Sequence, residues 1–247
     1  MPLRFGRWRF SPGIVTTVAA ALFIALTVAL GNWQVRRAAE KTELRERIDA
    51  GASAPPQRLP PSVVNAADYV WRHVEVRGTF DDEHTIYLDN RINAGRVGYD
   101  VITPLRIEGG ARCVLVNRGW VAAGPSRAEL PVVPVPRGEQ AVAGIAIVPP
   151  SKVFELGEQS PSSRVWQNLI LERYARWSGL NIEPVVLQQT NDTGDGLERH
   201  WHRPDLNVER HQAYAGQWYS LAALTFILYV ALNLKRQSGD ERPPRQA

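Results

Sequence analysis

The sequence has 247 residues, 44% of them hydrophobic and 22% charged, with a mean hydropathy of -0.25. That excludes a polytopic transporter buried in lipid throughout and suits one domain plus appendages. The net charge of +4 is carried by basic residues interleaved with acids, so nucleic acid is not an expected partner, and the single Cys113 excludes an internal disulfide.

Taken in chain order, residues 1–12 form a basic tail carrying Arg4, Arg7 and Arg9. Residues 14–30 have no charge and no proline, and extending the segment to 13–33 brings it to the roughly 20 residues that span a bilayer. Trp8 and Trp33 flank it as interfacial aromatics. A cleaved signal peptide is the alternative. The apolar run exceeds a usual signal core, and no small-residue cleavage site precedes Trp33, so a retained anchor is expected. Ala21, Ala25 and Ala29 make a small-residue stripe suited to close helix packing, and Gly216, Ser220 and Ala223 do the same later in the chain.

Residues 32–50 are rich in helix formers and free of Gly and Pro, which predicts that the first membrane helix continues into water. Gly51, Pro55-Pro56 and Pro60-Pro61 then make a linker. Beyond it the hydrophobic period changes to two. Strands are predicted at 73–78, 85–88, 140–148 and 184–188, with a hairpin of 99–107 and 113–121 closed at Gly109-Gly110. A short helix over 172–178 should end at Gly179. Cys113 lies in an apolar strand run and reads as a small core residue.

Residues 213–234 form the second predicted span, uncharged from 218 onward and followed at once by Lys235 and Arg236. Tyr214, Trp218 and Tyr219 stand at its entry. The tail 235–247 is charged and Pro-rich, and reads as disordered. The fold class is therefore an α+β membrane protein, with two transmembrane helices flanking a mainly antiparallel β domain over 34–212, either a sheet or a partial barrel. Basic residues after the first span oppose a simple orientation rule. Long translocated segments weigh little in it, however, so both termini are expected in the cytoplasm and the domain outside.

The chemistry-bearing patterns are sparse. There is no phosphate-binding loop, dinucleotide fingerprint, paired-cysteine motif or nucleophile elbow. Asp192-Thr193-Gly194 resembles half of an aspartic-protease site, but no second such tripeptide exists and the loop 191–196 is ordinary turn sequence. His200 and His202 alternate about Trp201, yet Arg199 and Arg203 beside them would repel a cation. No catalytic residue is expected. His211 differs, because on a helix it shares a face with Tyr214, Ala215 and Trp218. A neutral imidazole there can donate to a metal beside a flat apolar ligand. By composition alone, an ordinary interfacial histidine remains the commoner reading.

The chain as a whole resembles the surfeit locus protein one family of cytochrome c oxidase assembly factors. The resemblance is carried by residues 30–37 through Lys41, by 71–80, by Asp89-Asn90-Arg91, by Gly98-Tyr99-Asp100-Val101 and by Thr103-Pro104-Leu105. It continues through 114–121, with the string Val116-Asn117-Arg118-Gly119-Trp120, to 211–218. It implies a two-span protein of an inner membrane with its domain on the periplasmic or intermembrane side. The absence of a transit-like extension favours a bacterial inner membrane. It also implies a part in maturing the haem-bearing oxidase subunit, alongside other assembly factors and without catalytic turnover. His211 matches the position implicated in binding haem a, which makes it the expected axial ligand of a transiently held haem a. The alternative is a membrane scaffold that stabilises an oxidase assembly intermediate without binding haem. Whether Asn117-Arg118-Gly119-Trp120 serves a partner or the fold stays open at this level.

Overall fold

The structure is a computed structural model that describes residues 3–5, 8–124, 129–150, 163–201, 204 and 206–236. In chain order its elements are β1 (Leu3–Phe5), β2 (Trp8–Phe10), α1 (Ile14–Ser53), β3 (Gln57–Arg58), α2 (Ala66–Tyr69), β4 (His73–Phe80), β5 (Ile86–Asn93), β6 (Arg96–Ile107), β7 (Arg112–Ala122), β8 (Glu139–Ile147), β9 (Val165–Trp166), α3 (Leu171–Ser178), β10 (Asn181–Gln189), α4 (Val208–Asn233) and β11 (Leu234–Arg236). The chain divides into two compact units, Met1–Arg45 with Asp205–Ala247, and Glu46–Pro204.

The first unit is built on α1 and α4, both long and apolar enough to cross a membrane. Their apolar side chains are not a soluble core. Leu22 is 67% exposed, and Phe226 and Ile227 are 58% and 60% exposed. Helices this apolar and this bare are satisfied by lipid. The α1 helix runs through the Gly- and Pro-free residues 32–50 as expected, but continues past Gly51 to Ser53 instead of stopping at the glycine.

The two helices meet along a face different from the expected one. Ala21, Ala25 and Ala29 are exposed, as are Gly216, Ser220 and Ala223. The buried positions are instead Thr27, Gly31, Gln34 and Ala38 on α1 and Val208, Ala215 and Ala222 on α4. Gly31 lies against the Tyr219 ring, where an added Cβ would stand 2.6 Å from a ring carbon. The physical reason for the choice of face is polar: the Gln34 carboxamide in an apolar helix is better satisfied against His211 than against hydrocarbon, whereas Thr27 bonds back to Phe23 O and Ile24 O of its own helix.

The start of the C-terminal tail differs from expectation. β1, β2 and β11 form a three-stranded antiparallel sheet, so Lys235 and Arg236 are strand rather than disordered. Residues 237–247 of the predicted disordered tail lie outside the described residues.

In the second unit β4, β8, β10, β7 and β6 hydrogen-bond in that order, and β6 returns to pair β4, closing a five-stranded barrel. β6 achieves this by its length. Its first half pairs β5 and its last residues pair β4 through Leu105↔Phe80 and Ile107↔Gly78. The pairing is mainly antiparallel, but β7–β10, β3–β4 and β5–β9 are parallel. Alternation along β7 sends Val114 and Val116 into one apolar cluster with Val74, Val76 and Leu187, and Leu115 into another with Ile86, Ile102 and Tyr174. Burial on both faces is why 113–116 is a continuous apolar run rather than an alternating one. α3 ends at Gly179 in the left-handed conformation, as its sequence predicts.

Candidate functional site

The helix α4 opens in front of the apolar span, so His211 sits in its first turns and faces α1. There the His211 ring Nδ1 lies 2.6 Å from Gln34 Oε1. A carboxamide oxygen only accepts, so the bond places a proton on Nδ1, and in the neutral ring Nε2 then carries the lone pair. Ala215, one turn on, is buried, and Trp218 is half-buried on the same face, while Tyr214 at its margin is 45% exposed. The helical face expected from the sequence is therefore present.

His211 is one rung of a ladder of polar contacts between the two helices. Tyr219 Oη donates to Asn32 Oδ1 at 2.7 Å, Thr17 Oγ1 and Tyr229 Oη are 2.8 Å apart, and Arg45 pairs with Glu209 at 3.1 Å. These bonds fix the register of α1 against α4. They also hold the imidazole from behind, through Nδ1, which is how metal-ligating histidines are commonly oriented. Gln34 is the partner that sequence reasoning missed. Its signal was a carboxamide placed one helical step past the apolar run, on the side of Thr27 and Gly31.

The string Asn117-Arg118-Gly119-Trp120 lies in the second unit and is absorbed by the fold. Gly119 has φ +143°, and a Cβ there would stand 2.8 Å from Leu197 Cβ and 2.9 Å from the Glu198 carbonyl. This irregular backbone shifts the β6–β7 register between Val101 and Ile102 and turns Arg118 inward. Arg118 is fully buried and donates to Pro134 O at 2.7 Å and to Asp195 Oδ2 at 3.0 Å. Asp195 is shared with Arg199, whose Nη2 lies 2.7 Å from both carboxylate oxygens. Burial pushes the Asp195 carboxyl up, but the bonds from Arg199, Leu197 N–H and Thr193 outweigh it and hold the group below the usual range. The loop 191–196 is thus a clasp and not half of a protease site: Asp192 is exposed and accepts from Gly194 N–H.

Trp120 donates its Nε1–H to Arg91 O at 2.9 Å and exchanges backbone hydrogen bonds with Glu198. Around it a polar cleft of about 220 Å³ is lined by Arg91, Asp100, Gln188, His200 and Trp201. Burial raises the Asp100 carboxyl, opposed by Arg91 and by a hydrogen bond from Asn117. His200 lies in this wall, and His202 lies outside the described residues. Among the described residues, Asp81, Glu83 and His84 bring ligand atoms within 4.8 Å of one another at the turn after β4, where His84 Nδ1 is already 2.9 Å from Asp81.

Comparison with known proteins then decides the lineage. A model of the SURF1 family matches residues 21–223, which take in most of α1, the whole barrel and the first part of α4. The chain belongs to the SURF1 family. It is 26% identical to a SURF1-like protein of Monosiga brevicollis over 233 residues, 89% of this chain and 88% of that one. It is 28% identical to Surfeit locus protein 1 of Rattus norvegicus over 233 residues, 88% of this chain and 76% of the rat protein. It is also 30% identical to the cytochrome oxidase assembly protein SHY1 of Saccharomyces cerevisiae over 173 residues, 67% of this chain and 44% of the yeast protein. Within the SURF1 framework, the two apolar helices make this a membrane-associated member.

Proposed function

We propose that this chain is an assembly factor for cytochrome c oxidase that holds haem a at His211 while the haem-bearing subunit matures, without catalytic turnover of its own. The observation that carries the reading is the bond between His211 Nδ1 and Gln34, which orients the ring and leaves Nε2 outside that contact. A neutral, pre-oriented imidazole suits an axial position on iron. Haem a would supply the iron centre that the oxidase uses. This chain's own residues orient the imidazole, keep its proton on Nδ1 and offer an apolar flank at Ala215 and Trp218. The name of the yeast relative supports the assembly role. The same reading places the protein in a bacterial inner membrane, with both termini cytoplasmic, the β domain periplasmic, and the oxidase subunit and other assembly factors as partners.

The test is the absorption spectrum of the protein purified in detergent from cells that make haem a. The wild type should carry a Soret band, and His211→Ala should lose it. A band unchanged in His211→Ala removes the ligand assignment. Reporters active only outside the cytoplasm, fused after Val121 and after Ala247, should be active and silent respectively.

A haem-free scaffold is favoured by one observation. Ile92 and Val97, paired across the β5–β6 hairpin, are 65% and 43% exposed, an apolar tip of the kind that marks a protein contact. It predicts normal oxidase maturation with His211→Ala and a loss with Ile92→Asp.

A further inference from the structure

The membrane unit has a feature that its assembly role does not use. The end where α1 begins and α4 stops is closed by the sheet β1-β2-β11. The Ser11 N–H donates to Asn233 O at 3.0 Å, tying the sheet to the helix ends. Alternation sorts its residues. Phe10 stands opposite Leu234, both are half-buried, and the Phe10 ring meets the Tyr229 ring edge-on at 6.0 Å. One residue away on each strand, Arg9 stands directly opposite Lys235, and both are exposed. In register, Arg4 is the neighbour of Arg9 on the other side.

Like charges placed directly opposite in a sheet repel. Among the described residues no carboxylate pairs with Arg9 or Lys235. A strand pair that sets two cations side by side makes a place that an anion would complete. Its place says which anion. Arg9 and Lys235 lie just beyond Ile14 and Asn233, where the apolar spans begin and end. The polar layers there widen a hydrocarbon core of about 30 Å to about 40–45 Å. Trp8, 45% exposed on β2, is the amphipathic ring expected at that depth. We infer that the paired strands β2 and β11 form a binding site for the headgroup phosphate of an anionic phospholipid, gripped between Arg9 and Lys235. The occupant is a lipid rather than a free anion, because Phe10 and Leu234 on the opposite face of the same strands are continuous with the membrane helices through the Phe10–Tyr229 contact. Such a contact fastens the two chain ends together at one membrane surface.

The test is native mass spectrometry of the full chain, released from detergent micelles containing equal amounts of phosphatidylglycerol and phosphatidylcholine. The wild type should retain phosphatidylglycerol in preference, and the double variant Arg9→Ala/Lys235→Ala should lose about tenfold or more of it, since each cation near a membrane surface contributes on the order of 1 kcal/mol. The charge-keeping swap Arg9→Lys/Lys235→Arg should retain it, which separates lost charge from lost folding. Arg37→Ala, on the exposed flank of α1, should change nothing. Equal retention of both lipids, an unchanged double alanine variant, or an equal loss with Arg37→Ala would overturn the site. Displacement by millimolar inorganic phosphate would show that a free anion, not a lipid, is the ligand.

Discussion

The barrel and the helix pair handle their buried polar groups in opposite ways. In the barrel, Asp195 takes hydrogen bonds from Arg118, Arg199, Thr193 and Leu197, and the fully buried Glu183 takes them from Arg112 and Val64 N–H. Both carboxylates are spent on structure. In the helix pair, the bond between Gln34 and His211 uses one ring nitrogen and leaves the other free. The two carboxylates are saturated, although Arg118 Nε and Nη1 and Arg199 Nε stay buried without a partner, whereas the imidazole of the helix pair is half-used. The string Asn117-Arg118-Gly119-Trp120, for all its distinctiveness, is taken up by the fold.

That contrast breaks first at Asp195. Asp195→Ala strands two guanidiniums in the interior, and removing one partner of a buried ion pair costs about 3–5 kcal/mol. Urea denaturation of the detergent-solubilised chain should show a loss of that size. A change under about 1 kcal/mol would mean that the clasp is not a structural keystone.

The same carboxyl sets a pH signature. Its folded value lies below the unfolded one, so its stabilisation is present above the unfolded value of about 3.9 and lost as pH falls through the folded value. Asp100 works in reverse: its raised value favours the folded state at low pH and penalises it as pH rises. Melting temperatures recorded from pH 2 to 7 should therefore fall on the acid side in the wild type. The fall should be shallower in Asp195→Asn, which has already lost the charge. Parallel curves for the two proteins would exclude Asp195 as the source.

A smaller effect sharpens the other side. Gln34→Leu leaves His211 in place but removes the acceptor for its Nδ1–H, and loss of such an orienting partner typically costs about 10–100-fold in affinity. Haem retention should drop by about tenfold while the barrel melts unchanged. Retention equal to wild type would show that Gln34 does not orient the ring. Smallest of all, Arg37→Ala removes an exposed pair with Glu40 at 2.7 Å and should shift stability by no more than about 0.5 kcal/mol.

Much of this architecture was legible because burial writes a period into the chain. Val74, Val76 and Phe80 alternate with polar residues, and 113–116 is apolar throughout, so the strands β4 and β7 could be drawn from sequence. The β5–β6 hairpin was not seen. Its turn puts Ala94 at φ 47° and Gly95 at φ 78°, and an alanine in that conformation gives none of the usual Asn-Gly signal. The parallel partnership of β7 and β10 leaves no local trace, nor do three-residue strands contributed by opposite ends of the chain. The helix faces were misread for a related reason. Small residues mark several stripes on α1, and the placement of Gln34 selects the one that is buried. His211 could be singled out as a candidate, but its tautomer depends on a partner far away in sequence.

The order of strands in the barrel has a consequence for biosynthesis. β10 is the stave that joins β7 to β8, and it is the last of the barrel strands to be made. A nascent chain that has not yet extended past Gln189 holds one open ribbon, β8–β4–β6–β7, with backbone amides bare on its β7 and β8 edges, after the first membrane segment has already been synthesised. Sealing the stave therefore comes late, shortly before α4 is translated, and any pause before Asn181 exposes the two edges most able to stick to another chain.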